Sequence, residues 1–241
     1  HVSTMLFSPT ITGMENLANE NFKLNAAPPF TIDTPAVYHS GDVMYDNSLY
    51  FSKISEEKST ILDDLGLRGK DFILSTIHRP SNTDSEDRLE GLMETLLEIA
   101  EGNKTPLILP LHPRTKAKLE QFFSGDTLMD RLENSEYFRF VPPCGFLDII
   151  ALEKNCSMVM SDSGGVQKEA YFFGKPCLVF RPQTEWIEII HSGCARLVDA
   201  DITKIKEGYE YFKNNTDLEF PSLFGDGKAA HFICEQMVKH L

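Results

Sequence analysis

The chain has no uninterrupted apolar run near the roughly 20 residues that a membrane-spanning helix needs, which excludes a transmembrane protein. It does not open on a basic stretch leading into an apolar one, so the first residues are not expected to be a signal peptide. Cysteine is sparse and unpatterned. Cys144, Cys156, Cys177, Cys194 and Cys234 are odd in number and include no Cys-x-x-Cys pair, and the histidines show no metal-ligand spacing. A disulfide framework and a structural zinc site are both disfavoured, and buried thiols in a reducing cytoplasm are expected. Positive charge is short as well: 23 Lys and Arg stand against 36 Asp and Glu, a formal net charge of −13. So acidic a chain repels phosphate backbones at long range, so nucleic acid is not an expected partner. An anionic ligand must instead be held locally, by backbone amides and a few placed cations. Internal repeats and low-complexity tracts are absent too.

What is there is a globular composition, 41% hydrophobic and 24% charged over 241 residues, enough for one large domain or one and a half. From about residue 70 onward, short apolar runs alternate with amphipathic segments. Phe72–Ile77, Pro106–Leu111, Tyr137–Val141, Ser157–Ser161, Pro176–Phe180 and Cys194–Val198 read as strands buried on both faces of a parallel sheet. Between them, Leu89, Leu92, Met93, Leu96 and Leu97 recur at helical spacing within 85–100. Further helical patterns cover 114–123, 146–154, 165–173, 185–191, 201–213 and 228–240. This alternation predicts right-handed βαβ crossovers and a doubly wound, Rossmann-like α/β domain.

The first 60 residues are less regular. Met5–Phe7 and Val37–His39 read as short strands, Thr12–Glu20 and Val43–Ile54 as helices, and Asn25-Ala-Ala-Pro-Pro29 as loop. Residues 1–35 read as the tail and linker of a preceding unit and 36–241 as the main domain. The start at His1 rather than Met reads as a piece of a longer chain.

Five clusters carry chemistry, and each leaves the C-terminal end of an expected strand. Ser161-Asp-Ser-Gly-Gly-Val-Gln-Lys-Glu-Ala170 joins a strand to a helix through residues without Cβ, so backbone N–H groups and the positive helix end can meet a phosphate. Glu169 lies one turn deeper on the face of Gly165, where a carboxylate can accept from a ribose diol. A plain Gly-rich turn with a solvated Glu fits the same residues. His78 and Arg79 leave the first main strand, and His112 leaves the second just before Pro113 and Arg114. Taken singly, such histidines are ordinary surface or core residues. Arg181, in Val179-Phe-Arg-Pro-Gln-Thr-Glu-Trp186, offers a fork for phosphate oxygens. Val141-Pro-Pro-Cys-Gly-Phe-Leu-Asp148 presents Phe146 on a Pro-stiffened loop, either to stack on a flat base or simply to fill a core. In an open parallel sheet all five would line one crevice. The residues alone thus point to a nucleoside-diphosphate site without naming a reaction.

Taken in order, Thr76-x-His78-Arg79-x-x-Asn82, Leu111-His112, Gly145-Phe-Leu-Asp148, Asp162-Ser-Gly-Gly-Val-Gln-Lys-Glu169 and Arg181-x-x-Thr184-Glu185 closely resemble the non-hydrolysing UDP-N-acetylglucosamine 2-epimerase family. Met5-Leu-Phe-Ser-Pro-Thr10 with Asn16-Leu17 is similar to the end of that family's first domain. Gly225-Asp-Gly-Lys-Ala229 is similar to its last motif before the C-terminal helix. The resemblance implies the second half of a two-domain glycosyltransferase-B architecture, a UDP-sugar substrate, no metal or redox cofactor, and a homodimer of the full-length form. It implies that Ser163, Gly164, Gly165 and Arg181 hold the phosphates, Glu169 the ribose, and Phe146 and Ile149, with main chain near Cys144, the uracil. His78 is implied at the phosphate and sugar as the catalytic residue of this half, with Arg79, His112, Thr184 and Glu185 lining the site.

The family's reaction eliminates UDP to a 2-acetamidoglucal and adds it back after the C2 proton returns on the opposite face. Its acidic residues for that proton lie in the first domain, so this chain alone is expected to be inactive. Two departures are visible: Trp186 stands where many members have Arg, and His78-Arg-Pro-Ser-Asn82 replaces the commoner His-Arg-Arg-Glu pattern. Both occur in a branch that includes epimerases of diacetamido-uronic acid sugars. A glycosyltransferase of the same architecture and a non-catalytic UDP-sugar-binding module are the alternative readings.

Overall fold

The computed structural model describes residues 2–240. In chain order the elements are β1 (Met5–Ser8), α1 (Ile11–Asn19), β2 (Ala36–His39), α2 (Val43–Lys58), α3 (Ile61–Asp64), β3 (Ile73–Thr76), α4 (Pro80–Thr83), α5 (Glu86–Asn103) and β4 (Leu107–Pro110). They continue with α6 (Pro113–Phe123), α7 (Thr127–Asn134), β5 (Phe138–Val141), α8 (Phe146–Asn155), β6 (Met158–Ser161), α9 (Gly164–Phe172) and β7 (Cys177–Val179). The chain ends with α10 (Ile187–His191), β8 (Ala195–Leu197), α11 (Ile202–Asn214) and α12 (Ala229–His240).

All six strands expected after residue 70 are present, each shorter by one residue at one or both ends. They form one sheet in the order β5-β4-β3-β6-β7-β8, and every neighbouring pair is parallel. The chain builds outward from β3 to β5 on one side, then returns to β6 and builds outward to β8 on the other. That reversal between β3 and β6 is the topological switch point of a doubly wound fold. The apolar face of α5 packs as its spacing predicted: Leu89, Leu92, Met93, Leu96 and Leu97 are completely buried. The strands supply Ile73, Leu107, Leu109, Phe138, Met160 and Leu178 to the same core.

Three short helices, α3, α4 and α7, were not foreseen. In α7 the apolar signal is a single i, i+4 pair, Leu128 and Leu132, too little to register as a period. Its start is nevertheless written in the sequence, since Asp126 accepts the Leu128 N–H at 2.7 Å as an N-cap. Helix α10 begins at Ile187 rather than 185, which leaves Thr184 and Glu185 in the turn after β7.

By compactness the chain divides into a unit of the residues up to Phe51 with those from Pro221 onward, and a second unit, Ser52–Phe220. The division expected from sequence lay at residue 35 instead; in the structure β2 pairs with β1 in register from Met5↔Ala36 to Ser8↔His39. Within this first unit Asp46 of α2 accepts the Ala229 and Ala230 N–H groups at 3.1 and 2.7 Å, satisfying orphan donors at the start of α12. The Gly-Asp-Gly stretch before α12 is explained by backbone proximity. A Cβ on Gly225 (φ +89°) would lie 3.0 Å from the Cα of Gly41.

Candidate functional site

The candidate site lies in the second unit, at the C-terminal edge of its sheet. Because the strands are parallel, the segments after β3, β4, β5, β6 and β7 emerge on that one edge. At its centre, where β3 and β6 are neighbours, the side chains of Thr76 and Ser161 hydrogen-bond across the two strand ends at 2.6 Å. Asp162 follows, completely buried. Its carboxylate accepts the backbone N–H of His78 at 3.1 Å, that of Arg79 at 2.9 Å and the Asn82 side-chain amide at 3.1 Å. Asn82 also donates to the Phe180 carbonyl at 3.0 Å, and its oxygen accepts from Arg88 at 2.9 Å. One buried carboxylate thus ties the ends of β3 and β6 together, and through Asn82 the end of β7.

This clamp sets the His78 ring, whose Nδ1 lies 3.6 Å from Asp162 Oδ1, and orients Arg79 toward the start of α9. Ser163 caps α9 by accepting the Val166 N–H at 3.4 Å. Gly164 is the first residue of that helix. A Cβ built on it would have Arg181 Nη1 and Glu185 Oε2 at 3.6 Å and Arg79 Nη2 at 3.7 Å. Two guanidinium groups therefore converge on the positive end of a helix at a residue with no side chain, a strong local field for an anion in a chain of net charge −13. Arg181 does not stand free. Its two terminal nitrogens grip Glu185 at 2.7 and 2.8 Å, which holds the Glu185 carboxyl down to about 2. Glu185 is exposed, so an incoming diphosphate can take its place on the fork.

Around this centre, His112 is exposed at the end of β4, its ring centroid 5.3 Å from that of His78, and its Nδ1 accepts the Arg114 N–H at 3.2 Å. Thr184 donates to Gln167 of α9 at 2.7 Å. Trp186 lies under the Lys168 ammonium, 4.0 Å from the ring centroid, a cation–π contact where family members often carry Arg. Phe146 begins α8 with 53% of its surface exposed, so it is not a core residue; Ile149, on the next turn, is half-buried. Gly165 and Glu169 sit within α9, Glu169 half-buried and raised above the ordinary carboxyl range chiefly by burial, against the pull of the Lys168 charge. A cavity of about 500 Å³ lined by Leu65, Leu119, Met129 and Phe138 holds none of these residues.

Sequence reasoning gave no role to Asp162, Asn82 or Arg88. The first two sat inside the quoted motifs, and an Asp between a buried strand and a Gly turn was the available signal. Arg88, which reaches Asp199 from α5, carried none. Asp162→Ala is expected to destabilise the fold by about 2–4 kcal/mol, because three donors lose a buried acceptor together. Chemical denaturation checks this; a loss below about 1 kcal/mol would mean that water replaces the carboxylate.

Comparison with known proteins shows the family. The family model described as UDP-N-acetylglucosamine 2-epimerase matches residues 1–238. A UDP-2,3-diacetamido-2,3-dideoxy-D-glucuronate 2-epimerase of Pseudomonas aeruginosa is 38% identical over 99% of this chain and 60% of its own length. A UDP-N-acetylglucosamine 2-epimerase homolog of Methanococcus maripaludis is 36% identical over 98% of this chain and 60% of its own. Among solved structures, the Methanocaldococcus jannaschii UDP-GlcNAc 2-epimerase in complex with UDP-GlcNAc and UDP superposes with a TM-score of 0.83 at 30% identity, over 98% of this chain and 61% of that one. The chain thus spans about 60% of the length of these relatives. With the motifs in order, the parallel α/β fold and a match along almost every residue, the chain belongs to the UDP-N-acetylglucosamine 2-epimerase family.

Proposed function

We propose that this chain is the UDP-binding, C-terminal half of a UDP-HexNAc 2-epimerase. The observation that carries the reading is the convergence of Arg79, Arg181 and the start of α9 on Gly164, two residues after the Asp162 that holds His78 at the switch point. Gly164 and Gly165 offer backbone N–H groups to the diphosphate, Ser163, whose own N–H is held by Ser161 Oγ at 2.9 Å, offers its hydroxyl, and Arg181 its fork after displacement of Glu185. Glu169 accepts from the ribose diol. Phe146, exposed at the start of α8, covers one face of the uracil, with Ile149 and the main chain near Cys144 against it. Arg79 joins Arg181 at the helix start, and His112 and Thr184 line the site. The relative solved with UDP-GlcNAc and UDP supports the ligand class, and the diacetamido-uronate epimerase supports a substrate varied at C3 and C6. The five free cysteines suit a reducing cytoplasm.

In the reaction, the C1–O bond to UDP breaks as the C2 proton is removed, leaving UDP and a 2-acetamidoglucal. A proton then adds to the opposite face of C2, and UDP re-forms the C1–O bond. Negative charge develops on the departing diphosphate, so groups that contact it more strongly then than in the ground state lower the barrier. His78, next to the helix start and held by the Asp162 clamp, is the group so placed. Proton transfer at C2 needs an acid and a base on opposite faces of that carbon, which this reading assigns to the other half of the protein. The expected result is therefore that this chain alone does not place deuterium at C2 of UDP-GlcNAc or of its diacetamido-uronate analogue in heavy water. The same chain fused to the N-terminal half of a relative does so on at least one of the two sugars. Exchange catalysed by the 241 residues alone would overturn the division of labour.

A further inference from the structure

Behind Glu169 lies a second carboxyl group that the reading above does not use. Glu153 of α8 is completely buried, and neither of its oxygens has a hydrogen-bond partner in the fold. Helix α8 packs on α9, and the charged group that acts on Glu153 is Glu169 of that helix, close enough for the two carboxyls to share a hydrogen bond once one of them carries a proton. Lys168 balances Glu169 from its own helix, while Lys175 acts on the Cys156 thiol. The thiols of Cys156 and Cys177, on which Glu153 acts in turn, are themselves raised by burial and stay neutral. Two carboxylates cannot both ionise in such a place: an isolated buried charge is costly, and a second like charge beside it costs more.

We propose that Glu153 is a positioning residue for Glu169: a neutral carboxylic acid kept in the α8–α9 packing, which offers its proton to the Glu169 carboxylate and so aims that carboxylate at a ligand diol. The assignment rests on Glu169 as the ribose contact. The acid donates to one oxygen of Glu169, and because Glu169 is only half-buried the rest of its carboxylate stays open to accept from two hydroxyls. The proton stays on Glu153, because burial, and after it the Glu169 charge, holds its carboxyl well above the usual range. Only one negative charge then faces the diphosphate, whereas two would repel it.

The test has two arms. In the first, melting curves of the chain and of Glu153→Gln are compared across pH 5–8. As pH rises past the ordinary Glu pKa of about 4.3, the unfolded chain loses this proton before the folded one, so Glu153 costs stability increasingly until its own raised pKa is passed. The glutamine does not titrate, so its advantage over the native chain is expected to grow with pH; a gap that stays constant overturns the proposal. In the second arm, calorimetry compares UDP with 2′-deoxy-UDP. The native chain is expected to prefer UDP about tenfold, as for one hydrogen bond to a charged acceptor. Glu153→Gln, which keeps a donor, retains that preference. Glu153→Leu, an apolar replacement that a buried site tolerates, reduces it to about twofold without loss of fold. A preference lost in Glu169→Ala but intact in Glu153→Leu overturns this proposal alone. A preference that survives Glu169→Ala overturns the ribose assignment and this proposal with it.

Discussion

Gly164→Val is expected to weaken UDP binding by about 100-fold while the melting curve of the chain stays nearly unchanged. The two halves of that expectation have separate causes. A Cβ at this position meets its nearest neighbours at 3.6–3.7 Å, ordinary contact distances, so the helix start has room for it. The neighbours it meets, however, are Arg181, Glu185 and Arg79, the groups around the space that the proposed phosphate site needs empty. Filling that space removes two charge-assisted hydrogen bonds, and at about 1.4 kcal/mol each the loss is about 100-fold. Calorimetry with UDP, paired with a thermal melt, separates the outcomes. Unchanged affinity in a normally folded variant would move the phosphates elsewhere.

The second large effect concerns His78. In the two-domain protein, His78→Ala is expected to lower kcat for C2 exchange by about 100- to 1,000-fold, with KM shifted far less, as when a single donor to developing charge is removed. The ring leaves the end of β3 with its backbone N–H on the buried Asp162 carboxylate and its Nδ1 3.6 Å from the same group. A variant whose KM rises while kcat holds would make His78 a binding residue and nothing more.

Most of this site was legible because a parallel sheet leaves few choices. Six apolar runs too short for helices, separated by amphipathic stretches, fix the strand count and the parallel pairing, and parallel pairing puts every loop after a strand on one edge. Hence the clusters after β3, β4, β5, β6 and β7 could be grouped without any knowledge of strand order. The sequence could not supply the strand order itself, which alone brings His78 and Asp162 together as neighbours 84 positions apart. Nor could it show that Arg181 is already held by Glu185, because a pair four residues apart in a turn carries no helical period. The Glu153 carboxyl was invisible for a different reason. In Ile-Ile-Ala-Leu-Glu-Lys-Asn155 it reads as the polar face of an amphipathic helix, and only the packing of α8 reveals that this position points inward.

The central claim, that the shelf at the end of β3 and β6 is a UDP site, is tested most directly by titrating this chain with UDP and with ADP in a calorimeter. Diphosphate and ribose are common to both ligands, so the phosphate cradle and Glu169 serve each equally. The difference reports on Phe146, Ile149 and the loop after β5, and the absolute affinity reports on the cradle. The expected result is weak but saturable binding of UDP, at least tenfold tighter than that of ADP. Equal affinity for the two would contradict the uracil contacts, and no binding of either would contradict the site.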